Sequence, residues 1–186
     1  MPQDLHILTG APGSGKTAIL DIMGADIRCV GEPAREILAE QRAIDGDGTY
    51  DRNASLFVDL LLQRSIDKHV AARTGDTPVL FDRGVPDCIA YASVMGVDPT
   101  QSLRAAERYR YHDQVLMLQP WEEIYTVDDE RTMSFADTFP FHDALVDAYE
   151  RTGYIMVEVP RGSVEHRAAF VRDSITGLTR IVATLS

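Results

Sequence analysis

Gly10-Ala11-Pro12-Gly13-Ser14-Gly15-Lys16-Thr17 decides how the rest of this chain is read. It meets the pattern G-x-x-x-x-G-K-[ST] without a gap. An apolar run, Leu5-His6-Ile7-Leu8, precedes it, and a helical apolar segment from Ala18-Ile19-Leu20 to Met23 follows. That is the strand–loop–helix setting a phosphate-binding loop requires. Its glycines let the backbone curl until successive N–H groups point inward at phosphate oxygens. The helix opening near Gly15 adds the positive end of its dipole. In such a loop Lys16 reaches the β- and γ-phosphates, and the Thr17 hydroxyl ligates Mg²⁺. Gly10 through Thr17 are therefore the candidate nucleotide-binding residues, and Lys16 is also a catalytic candidate. The plainer reading is a glycine-rich turn with an incidental lysine. Lys16 and Lys68 are the only lysines in a chain whose surface basic groups are otherwise arginines, which weighs against that reading.

The chain has 186 residues, 45% of them hydrophobic, which suits one globular domain over 1–186. Its net charge is −11 and its pI about 4.8. These totals imply no basic face of the kind that binds nucleic acid. A phosphate-binding protein this acidic must concentrate its positive charge locally, so the positions of the arginines matter. Cys29 and Cys88 lie in apolar segments without metal-ligand spacing and are expected to be buried free thiols in a reducing compartment. No apolar run approaches the length of a membrane span, so no membrane partner is expected. The polar start Met1-Pro2-Gln3-Asp4 does not read as a signal peptide. The expected location is the cytoplasm. Assembly is left open, with a homodimer as one arrangement.

Outward from the loop, strands alternate with helices. Strands are expected at about 4–9, 27–30, 78–82, 114–118 and 154–159. Helices are expected at about 15–24, 34–42, 51–74, 85–95, 99–109, 141–152 and 163–184. Pro33 suits the first turn of its helix, and Asp98-Pro99 reads as an N-cap followed by proline. In the long third helix Phe57, Val58, Leu61, Leu62, Ile66 and Val70 keep the 3.6-residue period. The stretch Trp121 to Thr138 is irregular and polar. Val79-Leu80-Phe81 is apolar on both faces, as a central parallel strand must be. The alternation predicts an α/β fold, a parallel sheet with helices on both faces.

Ligands in such sheets sit beyond the carboxyl ends of the strands, and each strand delivers a polar group there. Strand 3 ends in Asp82, the form of a Walker-B strand, whose carboxylate would hold Mg²⁺; its plainer role is a capping aspartate. Arg83 next to it can take a phosphate or substrate oxygen bidentately, or pair with Glu32 or Asp82. Glu32, at the end of strand 2, is the general-base candidate for a hydroxyl attacking the γ-phosphate. Its plainer role is a carboxylate at a helix N-terminus. Arg35, one turn on, would orient the acceptor, or else pair with Glu32 or Glu36.

The segment at about 121–138 sits where phosphoryl-transfer enzymes carry a lid. Arg131 there would close onto the transferred phosphate, although the five acidic residues between Trp121 and Arg131 must turn outward or hold metal. Trp121 is read as core. Arg161, after strand 5, would lie against the nucleotide base, while Arg167 is read as a solvated helix residue. The five histidines show no ligand spacing, and none is assigned to a metal.

TGAPGSGKT, GEPAREIL, VLFDRG, PWEEIYTVDDERTMSF and VPRGSVEHR together resemble the AAA-domain family of small predicted P-loop ATPases. That family is similar to the ribosylnicotinamide kinase domain of bacterial NAD-metabolism regulators. The resemblance spans Thr9 to about Arg172. It implies a P-loop NTPase three-layer sandwich of nucleotide-kinase type, with a five-stranded parallel sheet in the order 2-3-1-4-5. Glu32-Pro33 and Asp82-Arg83 are also similar to deoxynucleoside kinases. There a strand-2 glutamate contacts the acceptor hydroxyl and a strand-3 acid precedes arginine. This chain departs from those enzymes with Gly84 after the pair and with one central arginine in the lid. No N-K-x-D motif for guanine is present.

The residues therefore point to an ATP- and Mg²⁺-dependent kinase that phosphorylates a hydroxyl of a small, nucleoside-like acceptor. Lys16, Glu32, Asp82, Arg83 and Arg131 are its catalytic candidates, and Thr17 and Asp82 its metal ligands. Glu32, Arg35 and Arg83 are its acceptor contacts. The alternative is a nucleotide-binding ATPase or switch that regulates a partner.

Overall fold

The computed structural model of the protein describes residues 4–74, 78–125 and 134–177. Five strands pair in parallel in the order β2-β3-β1-β4-β5. They are β1 (Leu5–Gly10), β2 (Arg28–Val30), β3 (Val79–Asp82), β4 (Gln114–Leu118) and β5 (Ile155–Glu158). The connecting helices are α1 (Lys16–Met23), α2 (Pro33–Ala43), α3 (Ala54–Ala72), α4 (Asp87–Val94), α5 (Thr100–Arg108), α6 (Thr138–Arg151) and α7 (Val164–Ile175). The strand order is the one the resemblance implies.

The pleat explains why the central strands are apolar throughout. Successive side chains leave a strand on opposite faces, and here both faces are covered. Ile7 and Phe81 enter a core with Phe57 of α3, Ile89 of α4 and Leu145 of α6. Leu8, Leu80 and Leu116 enter a second core with Ile19 of α1 and Val171 of α7. Every residue of β1 and β3 is accordingly buried. The register sets Ile7 beside Phe81 and Leu8 beside Asp82. The carboxyl end of β3 therefore lies alongside the approach to the P-loop.

Several local expectations shift. Val70 of α3 is half exposed, and its predicted place in the core is taken by His69. The His69 Nε2 lies 2.9 Å from the Arg110 carbonyl, and its ring meets Tyr109 and Tyr111 edge-on. Cys88 is buried, but Cys29 is only half-buried, because β2 is an edge strand with one open flank. Helix α6 starts at Thr138, three residues before the expected 141. Asp98 is not the N-cap: Pro99 holds that place and the helix begins at Thr100, while the Asp98 carboxylate, one residue further out, accepts the Thr100 backbone N–H (3.0 Å) and hydroxyl (2.7 Å). The end of the last predicted helix, with Leu178 and Val182, lies outside the described residues, as does Gly75. No helix among the described residues is long and apolar enough to cross a membrane.

Candidate active site

The P-loop joins β1 to α1. Gly13 and Gly15 adopt φ of 75° and 84°, a left-handed conformation that favours glycine. Each is also closely covered. A Cβ on Gly13 would lie 2.4 Å from the Tyr125 ring, and one on Gly15 would lie 2.3 Å from the Arg167 guanidinium. The segment after β4, with a short 3₁₀ turn at Glu122–Ile124, thus packs Ile124 and Tyr125 over the loop. Lys16 is buried, and its Nζ donates to the carbonyls of Gly10 (3.0 Å) and Ala11 (3.2 Å). Burial, and then the neighbouring Arg83 charge, bring its pKa down to about 8, against the opposite pull of Asp82, Glu32 and Asp87.

Arg167 corrects the sequence reading. It is not solvated but 3% exposed. Its Nη1 and Nη2 donate to the carbonyls of Ser14 (3.3 Å) and Gly15 (3.0 Å), so α7 braces the P-loop from behind. Trp121 is also not core. It is half-buried, with the guanidinium of Arg167 5.5 Å and that of Arg161 5.8 Å from its ring. Arg161 donates to the Pro120 carbonyl at 3.2 Å.

The second half of the site is built around Arg83. It is 4% exposed, and its backbone is left-handed with φ of 69°. Its Nε donates to Glu32 Oε1 at 2.9 Å and its Nη1 to Asp87 Oδ1 at 3.1 Å. The rings of Phe141 and Tyr91 lie 5.4 and 5.8 Å from the guanidinium carbon. Burial works against its charge, but Tyr91, Glu32 and Asp87 around it hold its pKa well above the usual arginine value. Glu32 Oε2 accepts from Arg35 Nε at 3.0 Å. Burial would raise the Glu32 carboxyl, but Arg83 and Lys16 overcome it and hold the group at about 2. Glu32 is therefore a carboxylate at any working pH. Both plainer pairings foreseen for Arg83 and Arg35, with Glu32, are present.

These groups line one cavity of about 680 Å³. Its lining joins Gly13, Gly15, Lys16 and Thr17 of the P-loop, the charged Glu32, Arg35 and Arg83, and an apolar set that includes Leu38, Phe57, Tyr91 and Phe141. Asp82 and Arg161 stand outside its lining. Asp82 is buried at the end of β3, and its Oδ1 has no partner among the described residues. Burial raises its pKa. Arg131, and with it residues 126–133 of the expected lid, lie outside the described residues.

Among the described residues no three His, Cys, Asp or Glu side chains gather into a metal site. This donor pattern still suits Mg²⁺, which is usually held by one or two protein oxygens with phosphates and water rather than by a protein cage. The exposed Thr17 hydroxyl and the unpartnered Asp82 Oδ1 fit that demand.

The sequence reading missed Asp87, Tyr91 and Phe141, and it misjudged Arg167. Asp87 had a signal, a second carboxylate five residues after Asp82 on the helix that follows. The aromatic wall had none, because Phe57, Tyr91 and Phe141 come from three separate helices.

A search of curated proteins by sequence finds no match. Solved structures do resemble this one. A NadR protein crystallised in complex with NR superposes with a TM-score of 0.73 at 14% identity, over 96% of this chain and 51% of the other. The chain thus spans about half the length of that protein. Thymidylate kinase from Candida albicans gives 0.70 at 14% identity, over 95% and 92%. The Ehrlichia chaffeensis thymidylate kinase gives 0.57 at 17%, over 94% and 100%. At such identities the likeness is one of fold, the P-loop nucleotide-kinase fold. Residues 5–167 match the sequence model of the AAA domain family, and with that share of its length matched the chain belongs to that family.

Proposed function

We propose that the protein is a P-loop kinase that transfers the γ-phosphoryl group of ATP to a hydroxyl of a small, nucleoside-like acceptor. The observation that carries this is that the P-loop, Glu32 and Arg83, and an apolar aromatic wall line the same cavity. A phosphate site alone would serve hydrolysis or switching equally well. A ring-sized apolar space next to it suits a second substrate. That the similar folds include thymidylate kinases and a NadR protein holding NR supports a nucleoside-like acceptor.

In this proposal the P-loop N–H groups cradle the donor phosphates, and Lys16 exchanges the Gly10 and Ala11 carbonyls for phosphate oxygens. Thr17 and Asp82 would hold Mg²⁺, which would neutralise charge on the phosphates. Glu32 Oε1 is taken by Arg83 and by the Tyr91 hydroxyl at 3.5 Å, and Oε2 by Arg35, which leaves one lone pair on Oε2; that one accepts the acceptor O–H. The acceptor oxygen bonds to the γ-phosphorus as the bond to the β,γ-bridging oxygen breaks, and ADP leaves. With its low pKa, Glu32 is a weak base. Its main contribution is to orient the hydroxyl, and it takes the proton late, in keeping with a loose transition state. Arg35 orients the acceptor, while Arg131 and Arg161 serve the phosphate and the base of the nucleotide.

The test is ADP release from ATP and Mg²⁺ across a panel of nucleosides, nucleotides and other small alcohols. Acceptor-stimulated release with a phosphorylated product is expected. A flat response across a broad panel, with slow hydrolysis unchanged, would sink the kinase reading and leave a nucleotide switch.

A further inference from the structure

Asp87 is a buried carboxylate that the transfer chemistry above does not use. It is 2% exposed. Its Oδ1 accepts from the Thr9 hydroxyl (2.6 Å) and from Arg83 Nη1 (3.1 Å). Its Oδ2 accepts from the Gly84 N–H (2.9 Å) and from the Tyr149 hydroxyl. A carboxylate has about four lone-pair sites, so all are taken. Asp87 therefore has no capacity left to accept a substrate proton or hold a metal.

Its four partners show what it does instead. Thr9 is the residue before the P-loop. Gly84 follows Arg83, whose left-handed backbone an arginine does not adopt without support. Tyr149 lies on α6, the helix that also places Phe141 over the Arg83 guanidinium. We propose that Asp87 is a positioning residue. It fixes the Arg83 guanidinium so that Nε meets Glu32, and through Thr9 it ties this acceptor-side pair to the loop that binds the donor.

The catalytic half of this inference rests on the kinase reading above. With Nη1 held by Asp87 and Nε by Glu32, the guanidinium plane cannot turn. With Asp87 lost, it swings about its side-chain torsions and carries Glu32 with it. A misplacement of about 1 Å at a reacting group can cost about 100-fold in rate.

The test is Asp87→Asn, which keeps the shape but offers one oxygen to four donors. Two of those donors, the Gly84 N–H and Arg83 Nη1, cannot turn round to accept. The expected result is a kcat lower by about 10- to 100-fold with the KM for ATP within about twofold. The ¹⁵Nε–H resonance of Arg83 should also shift and lose its protection from solvent exchange. A folded Asp87→Asn protein with kcat and that resonance unchanged would overturn the proposal.

Should Asp87→Asn not fold, Tyr149→Phe keeps the Arg83–Asp87 pair but releases Oδ2. It should lower kcat severalfold and move the Arg83 resonance; no change in either overturns the proposal. If the wild-type protein transfers phosphate to no acceptor, the kinase reading fails by itself. The Arg83 resonance then still decides whether Asp87 holds Arg83.

Discussion

Arg167→Met isolates the brace behind the P-loop. Methionine keeps most of the apolar stem and so fills the space between α7 and the loop, while the two donors to the Ser14 and Gly15 carbonyls disappear. A hydrogen bond from a charged donor contributes a net ~1.5–3 kcal/mol, so two contribute about 3–6 kcal/mol. Burial of the guanidinium, which lowers the Arg167 pKa, offsets part of this, because the variant no longer desolvates a charge. The net loss is expected at about 2–4 kcal/mol. For a domain of this size that lowers Tm by about 5–15 °C.

The loss is local to the P-loop. The freed carbonyls let the loop relax, and nucleotide affinity should fall by roughly 5- to 30-fold, equivalent to about 1–2 kcal/mol. Trp121 provides the assay. It is the only tryptophan, and its ring lies 5.5 Å from the Arg167 guanidinium, so its emission reports the change directly. Thermal unfolding, tryptophan emission and titration with a fluorescent nucleotide would be measured together. A variant with Tm within about 2 °C of wild type, unchanged emission and unchanged affinity would show that Arg167 does not support the loop.

Three further outcomes follow from the same site. Lys16→Met should abolish transfer yet stabilise the ligand-free protein at pH 7. Since the Lys16 pKa falls from 10.5 to about 8 on folding, wild-type stability rises with pH across that window, and the variant's advantage should shrink there; a constant difference across pH 8–10.5 would contradict the shift. Glu32→Gln should remove turnover, retain nucleotide binding and cost about 3–5 kcal/mol by breaking a buried pair. Because the Glu32 pKa drops from 4.5 to about 2, its contribution is present above pH 4.5 and lost as pH falls toward 2. Parallel acid unfolding of the variant and the wild type would refute that. Gly13→Ala places a Cβ 2.4 Å from the Tyr125 ring at a φ of 75° and should weaken nucleotide binding at least about tenfold. A Gly13→Ala/Tyr125→Ala double variant should recover only part of the loss, since it relieves the contact and not the backbone, and full recovery would show that the backbone is unstrained.

The P-loop of the candidate site was legible because it is contiguous. Eight consecutive residues specify the curl of the loop, and the apolar runs on either side specify its strand and helix. The cluster around Arg83 was legible only in part. Glu32, Arg35 and Arg83 could be found because parallel strands end at one edge of the sheet. Which of them pair could not, because Glu32 and Arg83 are 51 positions apart and meet only once β2 lies beside β3. Arg167 failed for a related reason. On an acidic, arginine-rich chain a helix arginine reads as solvated, and nothing local shows that its neighbours will be the carbonyls of a loop some 150 residues earlier.

Local covalent order thus determined the P-loop, the alternation of strands and helices and the parallel sheet, since each rests on periodicity and backbone permissiveness within a few residues. Tertiary structure alone decided that Arg83 would be buried between Glu32 and Asp87, that Asp82 would keep an oxygen without a partner among the described residues and that Phe57, Tyr91 and Phe141 would wall one cavity. Those outcomes depend on distances between separate elements, and burial then sets the charge state and the reach of each group.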